Sequence, residues 1–436
     1  MLGALKYNLD RFLMWQWSGQ RWSLLDYSKV GEHLWPKFPT FEGVGQYAVM
    51  LALSLPFMTA GVLLTLKRVR SVQLPPWLVL LFFVPVVKII FFLLLCVLPS
   101  RERLIAEASR QGGLKSWLGI VIPRGAAGSA TAGIVFATAS SAICVWVGTT
   151  VLREYGWSLF VGLPFALGFL SVLVFGYHEK QSFGRCMIVS LLSTVIAGVA
   201  LLVVAIEGIV CLIMAVPLAA PMSFVGGCVA YQIQASDWWQ GKPTQVFCVA
   251  LAAPLLMAIE HIQPPPLPMF SVTTSVIVEA PPAKVWQNVV SFSELPPPEE
   301  AMFRLGIAYP IRARIHGRGV GAERHCEFST GPFVEPIEVW DEPRLLKFAV
   351  TKNPAPMQEW TPYQDVHPTH LDGFLESRAG QFHLIALPDG RTKLEGTTWY
   401  HHHMWPATYW RWWSDHIIHT IHLRVLRHVK QLSETA

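Results

Sequence analysis

From residue 45 to residue 260 the chain is a succession of apolar stretches, and beyond residue 268 it alternates. Seven stretches are long enough to cross a bilayer as helices, at 45–66, 75–98, 126–150, 157–176, 186–206, 208–231 and 244–260. The sixth contains Pro217 and Pro221 and could be broken or re-entrant. The seventh is short and contains Pro254. Residues 1–44 are polar and carry Trp15, Trp17, Trp22 and Trp35, which suits a segment lying at the membrane surface. The segment 261–268, HIQPPPLP, cannot continue a helix and reads as a stiff linker.

Beyond the linker the period changes. Residues 272–279 are β-branched and predict a strand, and Pro281 and Pro282 then open a short helix over 283–292. Strands are predicted at 311–318, 322–329, 333–340, 345–351, 373–387 and 391–403, with glycines at 317, 319 and 321 turning one hairpin. The chain closes on a long helix, 407–432, whose residues Ile418, Ile421, Val425, Val429 and Leu432 share one face. A run of antiparallel strands followed by such a helix predicts a sheet curved around it, the helix-grip arrangement. The predicted fold class is therefore an all-α membrane domain of about six or seven transmembrane helices over 45–260, joined to an α+β helix-grip domain over 269–436.

Composition agrees with this division. Of 436 residues 52% are hydrophobic and only 14% charged, against an ordinary ~25% charged. Residues 1–267 hold 18 Lys and Arg against 11 Asp and Glu, whereas residues 268–436 hold 16 against 18. The near-neutral C-terminal half gives no reason to expect nucleic acid. With the N-terminus inside, the inside loops carry 13 basic residues and the outside loops four, as the positive-inside rule prefers. Seven spans then put the C-terminal domain outside and six put it inside; analogy with soluble helix-grip proteins favours the cytosolic side. None of the seven cysteines forms a CxxC pair, so neither a disulfide framework nor a cysteine zinc site is indicated.

Several stretches resemble the polyketide cyclase/dehydrase and lipid-transport superfamily, also called START-like or SRPBCC. They are 277–286 (IVEAPPAKVW), 317–322 (GRGVGA), 333–343 (FVEPIEVWDEP) and 409–419 (YWRWWSDHIIH). The resemblance covers about 268–433 and is strongest to bacterial inner-membrane proteins with a fused multi-spanning domain. It implies a cavity between sheet and helix that accepts an apolar ligand, and no particular reaction. More faintly, 66–70 (LKRVR) followed by 75–77 (PPW) resembles a family of small bacterial inner-membrane proteins.

The candidate ligand-binding residues are Ile417, Ile421 and Val425 on the last helix, with Trp410, Trp413 and His428. The histidine-rich end (His401–His403, His416, His419, His422) invites a metal reading. Successive i+3 steps on a helix rotate by about 60°, which spreads these side chains, so they read as packing or interfacial groups. No metal and no cofactor is expected. Asp415 and His419 are four apart and suit a surface pair. Glu207, between two apolar runs, reads as a turn residue at the membrane surface, and Lys88 lies well inside its span. Glu327, Glu335, Glu338, Asp341, Glu376 and Arg378 lie on or beside strands without a catalytic spacing, and no GxSxG, HExxH or P-loop pattern occurs.

Three function classes fit. One is an inner-membrane protein whose helix-grip domain binds a lipid-like or other apolar molecule for transport or sensing. The second is an enzyme, a cyclase, dehydratase or hydrolase acting on an apolar substrate in that cavity. The third is a non-catalytic subunit of a membrane complex.

Overall fold

The computed structural model describes residues 41–72, 74–84, 87–97, 121–236, 243–262, 267–361, 363 and 368–435. Residues 1–40 of the surface segment expected at 1–44 and most of the Pro-rich linker lie outside them, and residues 41–44 begin the first helix instead. The chain divides into two compact units. One contains residues 1–204 and 214–265, the other residues 205–213 and 266–436.

The first unit is helical. Its elements are α1 (Phe41–Ser71), a short 3-10 helix (Pro76–Phe83), α2 (Val87–Val97), α3 (Ala126–Trp146), α4 (Leu163–Phe175), α5 (Phe183–Val203), α6 (Ile209–Ala235) and α7 (Pro243–Ile262). The first residues of α6 count with the other unit. Among the described residues five helical stretches are long and apolar enough to cross a membrane. Two expectations change here. The run 75–98 is not one helix, because Val84 is extended at φ −89° and ψ 115°. It precedes Pro85, whose ring disfavours the helical conformation of the residue before it. The run 208–231, by contrast, is one continuous helix of 27 residues through both prolines. Pro217 and Pro221 are four apart, so their missing donors fall on one side and leave the other side's hydrogen bonds intact.

α4 is the most enclosed of these helices, with every residue from Leu163 to Phe175 buried except Pro164. It meets α6 through small residues. A Cβ on Gly168 would overlap the Ser223 carbonyl, and one on Gly226 would overlap the Phe165 carbonyl. Beside them Ser190 Oγ on α5 donates to the Ser223 carbonyl at 2.8 Å. Backbones this close are how small residues let apolar helices associate.

The second unit is a seven-stranded antiparallel sheet gripping a long helix. Its strands are β1 (Phe270–Val278), β2 (Pro310–His316), β3 (Glu323–Phe328), β4 (Gly331–Asp341), β5 (Leu345–Ala349), β6 (Leu375–Ala386) and β7 (Thr392–His402). They run in the order β1-β7-β6-β5-β4-β3-β2. Short helices α8 (Pro282–Val290) and α9 (Ala301–Arg304) follow β1, and α10 (Ala407–Thr435) closes the chain. β1 alternates buried and exposed positions over Phe270–Ser275, the mark of a strand with one covered face. Pairing Phe270 with Tyr400 and Val278 with Thr392 sets its register on β7. The β2–β3 hairpin turns through Gly317, Gly319 and Gly321, all with φ between 85° and 90°, which side chains disfavour.

α10 lays Ile417, Ile418, Val425, Leu426 and Val429 toward the sheet. At its C-terminal end Val425, Leu426 and Val429 meet Val285, Trp286 and Val289 of α8 and Leu346, Leu384 and Leu394 of the strands in one core. Trp286 packs edge-on to Trp340 at 5.6 Å.

Candidate functional site

Next to that core the sheet and α10 leave a cavity of about 140 Å³. At roughly 10–15 Å³ of such space per water this is room for about ten waters, below the ~300–1,000 Å³ usual for small-molecule sites. Its walls are mostly apolar: Phe292, Phe328, Phe333, Phe348 and Phe382 from the sheet side, and Ile417, Ile418, Ile421, Val425 and Leu426 from α10. A Cβ on Gly380, paired across from Phe348, would strike that ring, so the glycine gives the Phe348 ring its place in the wall.

Of the six candidate ligand residues, Ile417, Ile421 and Val425 line this cavity. Trp410, Trp413 and His428 do not, although Trp410 and His428 lie on the right face of α10. They fail on depth. His428 follows Ile421 by seven residues, about 10 Å along the axis, and there it sits edge-on to Phe292 at 6.2 Å and beside Ser293. Trp410 precedes Ile417 by the same distance and is buried against Tyr409. Trp413, one turn before Ile417, packs edge-on to Trp412 at 4.8 Å.

The polar part of the lining is small and specific. Arg324 of β3 is only 1% exposed. Its Nη1 donates to Glu335 of β4, and its Nε donates to the Val290 carbonyl at 3.3 Å. Its carbon Cζ lies 5.4–5.6 Å from the ring centres of Phe292, Phe348 and Phe382, close enough for cation–π attraction. Its Nη2 is buried without an acceptor. Burial pushes the Glu335 carboxyl above the usual carboxylate range, and Arg324 opposes that rise. Cys326, also in the wall, is pushed up to about 12, first by burial and then by the Glu335 charge, so it is a protonated and unreactive thiol at neutral pH.

Asn353, Ser377, Gln381, Thr397 and Thr398 also line the cavity, as does His422. Its Nε2 is 2.8 Å from Thr398 Oγ1 and its Nδ1 is 3.2 Å from Thr274 Oγ1. Burial, then the neighbouring His419, pushes it down to about 4. His419 reaches Thr274 Oγ1 at 2.8 Å rather than Asp415. Asp415 instead accepts from Tyr400 and from Arg411. The other strand carboxylates are paired outside the cavity, Glu327 with Arg312, Glu338 with Lys347, Asp341 with Arg344 and Glu376 with Arg378. Glu335 is the one among them that lines the cavity.

The histidines give this unit an acid limit. His402, fully buried beside Phe270, is also pushed down to about 4 by burial. Between pH 6.5 and 4 the unfolded chain therefore binds protons that the folded chain refuses at these two sites. Stability should fall as pH falls through that window, on the order of 3 kcal/mol for each histidine. Urea unfolding at pH 7 and pH 4.5 measures it. His402→Phe should flatten the dependence, and an unchanged slope would show that His402 is not one of its sources.

Glu207 is not a surface turn residue. It is 5% exposed, and its Oε2 lies 3.2 Å from His370 Nδ1. On the other side of that ring Glu359 Oε1 is 3.4 Å from Nε2. Burial lowers the His370 pKa, but the two carboxylates outweigh it and hold it up at about 9. Residues 207, 359 and 370 are remote in sequence, and no local pattern joins them.

No protein-family model and no curated protein matches the chain. Solved structures similar to part of it include a structural-genomics protein from Nitrosospira multiformis. It is 17% identical over 37% of this chain and 94% of that one, with a TM-score of 0.24. Norcoclaurine synthase from Thalictrum flavum, bound to a transition-state analogue, is 12% identical over 39% and 96%, with a TM-score of 0.26. The Zhui aromatase/cyclase from a Streptomyces species is 15% identical over 38% and 94%, with a TM-score of 0.24. The helix-grip description of the second unit rests on its own strand order and on α10.

Proposed function

We propose that the helix-grip unit binds a small apolar molecule carrying one neutral hydrogen-bond acceptor, such as a ketone, ester or hydroxyl. The long apolar helices of the same chain hold the unit at a membrane, and the role is transport or sensing. The observation that carries this reading is Arg324. Its Nη2 is a buried donor without an acceptor in the wall of a mostly apolar cavity. A buried donor left unmade costs about 1–3 kcal/mol, and a ligand acceptor removes that cost. The acceptor should be neutral because Glu335 already balances the guanidinium charge. A second carboxylate would be buried beside Glu335, and like charges oppose each other strongly there.

A matched pair of probes tests this: a medium-chain methyl ketone and the fatty acid of equal length, competing with a fluorescent apolar dye on the full chain in detergent. The ketone should bind at least ~10-fold tighter, about 1.4 kcal/mol. Arg324→Met/Glu335→Leu, which replaces both charged partners, should remove the preference. A tighter fatty acid, or a preference that survives the double substitution, would overturn the assignment.

Glu335 also favours a second reading, catalysis on an apolar substrate, because burial raises a carboxyl toward the range of a general acid. Against it, Cys326 is unreactive and both nitrogens of His422 are held by threonines. Glu335→Gln keeps the shape of the wall. Loss of a chemical conversion with retained ketone binding would favour the enzyme.

A further inference from the structure

Residues 205–213 belong to the same compact unit as the sheet, and they carry Glu207 and, in the first turn of α6, Cys211. A carboxylate oxygen of Glu207, the thiol sulfur of Cys211 and a ring nitrogen of His370 all lie within 4.8 Å of one another. His370 sits on a single 3-10 turn, Thr369–Leu371. Glu359 stands behind it with its side chain 0% exposed. The backbone is shaped around that carboxylate. A Cβ on Gly208 would overlap Glu359 Oε2, and the Ile209 N–H donates to the Trp360 carbonyl at 3.1 Å.

We propose that Glu207, Cys211 and His370 bind a divalent transition-metal ion of the zinc class, with Glu359 as a positioning carboxylate on the far side of the His370 ring. The donor set is the argument. Thiolate, imidazole and carboxylate together suit a borderline-soft ion that accepts tetrahedral sites. Two ligands at about 2.0–2.1 Å on tetrahedral directions stand about 3.3 Å apart, and His370 Nδ1 is 3.2 Å from Glu207 Oε2. Metal-bound histidines direct their other nitrogen to a carboxylate, which fixes the tautomer, and Nε2 faces Glu359. Binding releases the thiol proton of Cys211 and any proton on Nδ1 to solvent. Three protein ligands leave a fourth position for water or another small ligand.

The test uses the full chain in detergent micelles, stripped with a chelator and titrated with Co²⁺. One equivalent should bind and produce the near-ultraviolet charge-transfer band of a cobalt thiolate, which Zn²⁺ then displaces. Cys211→Ser should abolish the band and weaken binding at least ~100-fold. Glu359→Gln should keep the band and weaken binding about 10–100-fold. Surface histidines such as His316 and His325 would take up cobalt without that band. Absence of the band in the unsubstituted chain overturns the site by itself, even if a variant does not fold. Unchanged cobalt affinity in Cys211→Ser overturns it equally.

Discussion

Arg324→Met should destabilise the C-terminal unit by about 3–5 kcal/mol, more than removal of any exposed ion pair in the chain. The substitution removes the partner of Glu335 and leaves that carboxyl buried, and an uncompensated buried charge is the costly outcome. Arg324→Met/Glu335→Leu should recover most of the loss, because replacing both members of a buried pair by apolar groups is often neutral. The exposed pair Arg318–Glu342 gives the comparison, since Arg318→Ala should cost well under 1 kcal/mol. Urea unfolding followed by the far-ultraviolet circular dichroism of the sheet reports all three. If the double variant is no more stable than the single one, the pair is held by packing against the three phenylalanines rather than by charge.

Gly226→Leu should be the most damaging single change in the helical unit. Its new Cβ would overlap the Phe165 carbonyl, so α4 and α6 must separate along their whole crossing. A backbone cannot rotate aside as a side chain can. The opposing Gly168 and the Ser190–Ser223 hydrogen bonds would be disturbed with it. A loss of about 3 kcal/mol or more is expected, which in a unit of this size lowers the melting temperature by roughly 10 °C. Gly198→Leu on α5, where no atom lies within 4 Å of the new Cβ, should leave it within about 2 °C. Thermal unfolding of the full chain in detergent compares the two. Equal effects would mean that α4 and α6 do not depend on this close approach.

The C-terminal unit was legible because its elements are periodic. β-branched residues marked the first strand and glycines one hairpin turn, and the spacing of Ile418, Ile421, Val425 and Val429 marked the face of α10. Depth along that face was not legible. Ile421 and His428 differ by only about 20° in direction, and what separates them is the filling of one end by Trp286, Leu346 and Leu384, a consequence of packing. The role of Arg324 was hidden for a related reason. Alternation places it on the covered face, but its partners come from α8, β4, β5 and β6. The apolar runs marked where helices occur better than whether they continue, since one breaks at Val84 and another runs on through Pro217 and Pro221. Glu207 and His370 are 163 positions apart in the sequence, and a period of 2 or 3.6 carries no information over that distance.

The central claim is that the space between the sheet and α10 holds a small apolar molecule. Native mass spectrometry of the full chain, released from its own membrane, tests it most directly when paired with Ile421→Trp. That substitution puts an indole into the cavity from the one helix that spans it. The account predicts a defined adduct on the unsubstituted protein, identified after extraction as an apolar compound with a neutral oxygen, and at least a ~10-fold lower occupancy in Ile421→Trp. Full occupancy in Ile421→Trp, or a cavity that takes up neither the native adduct nor the methyl ketone, would contradict it.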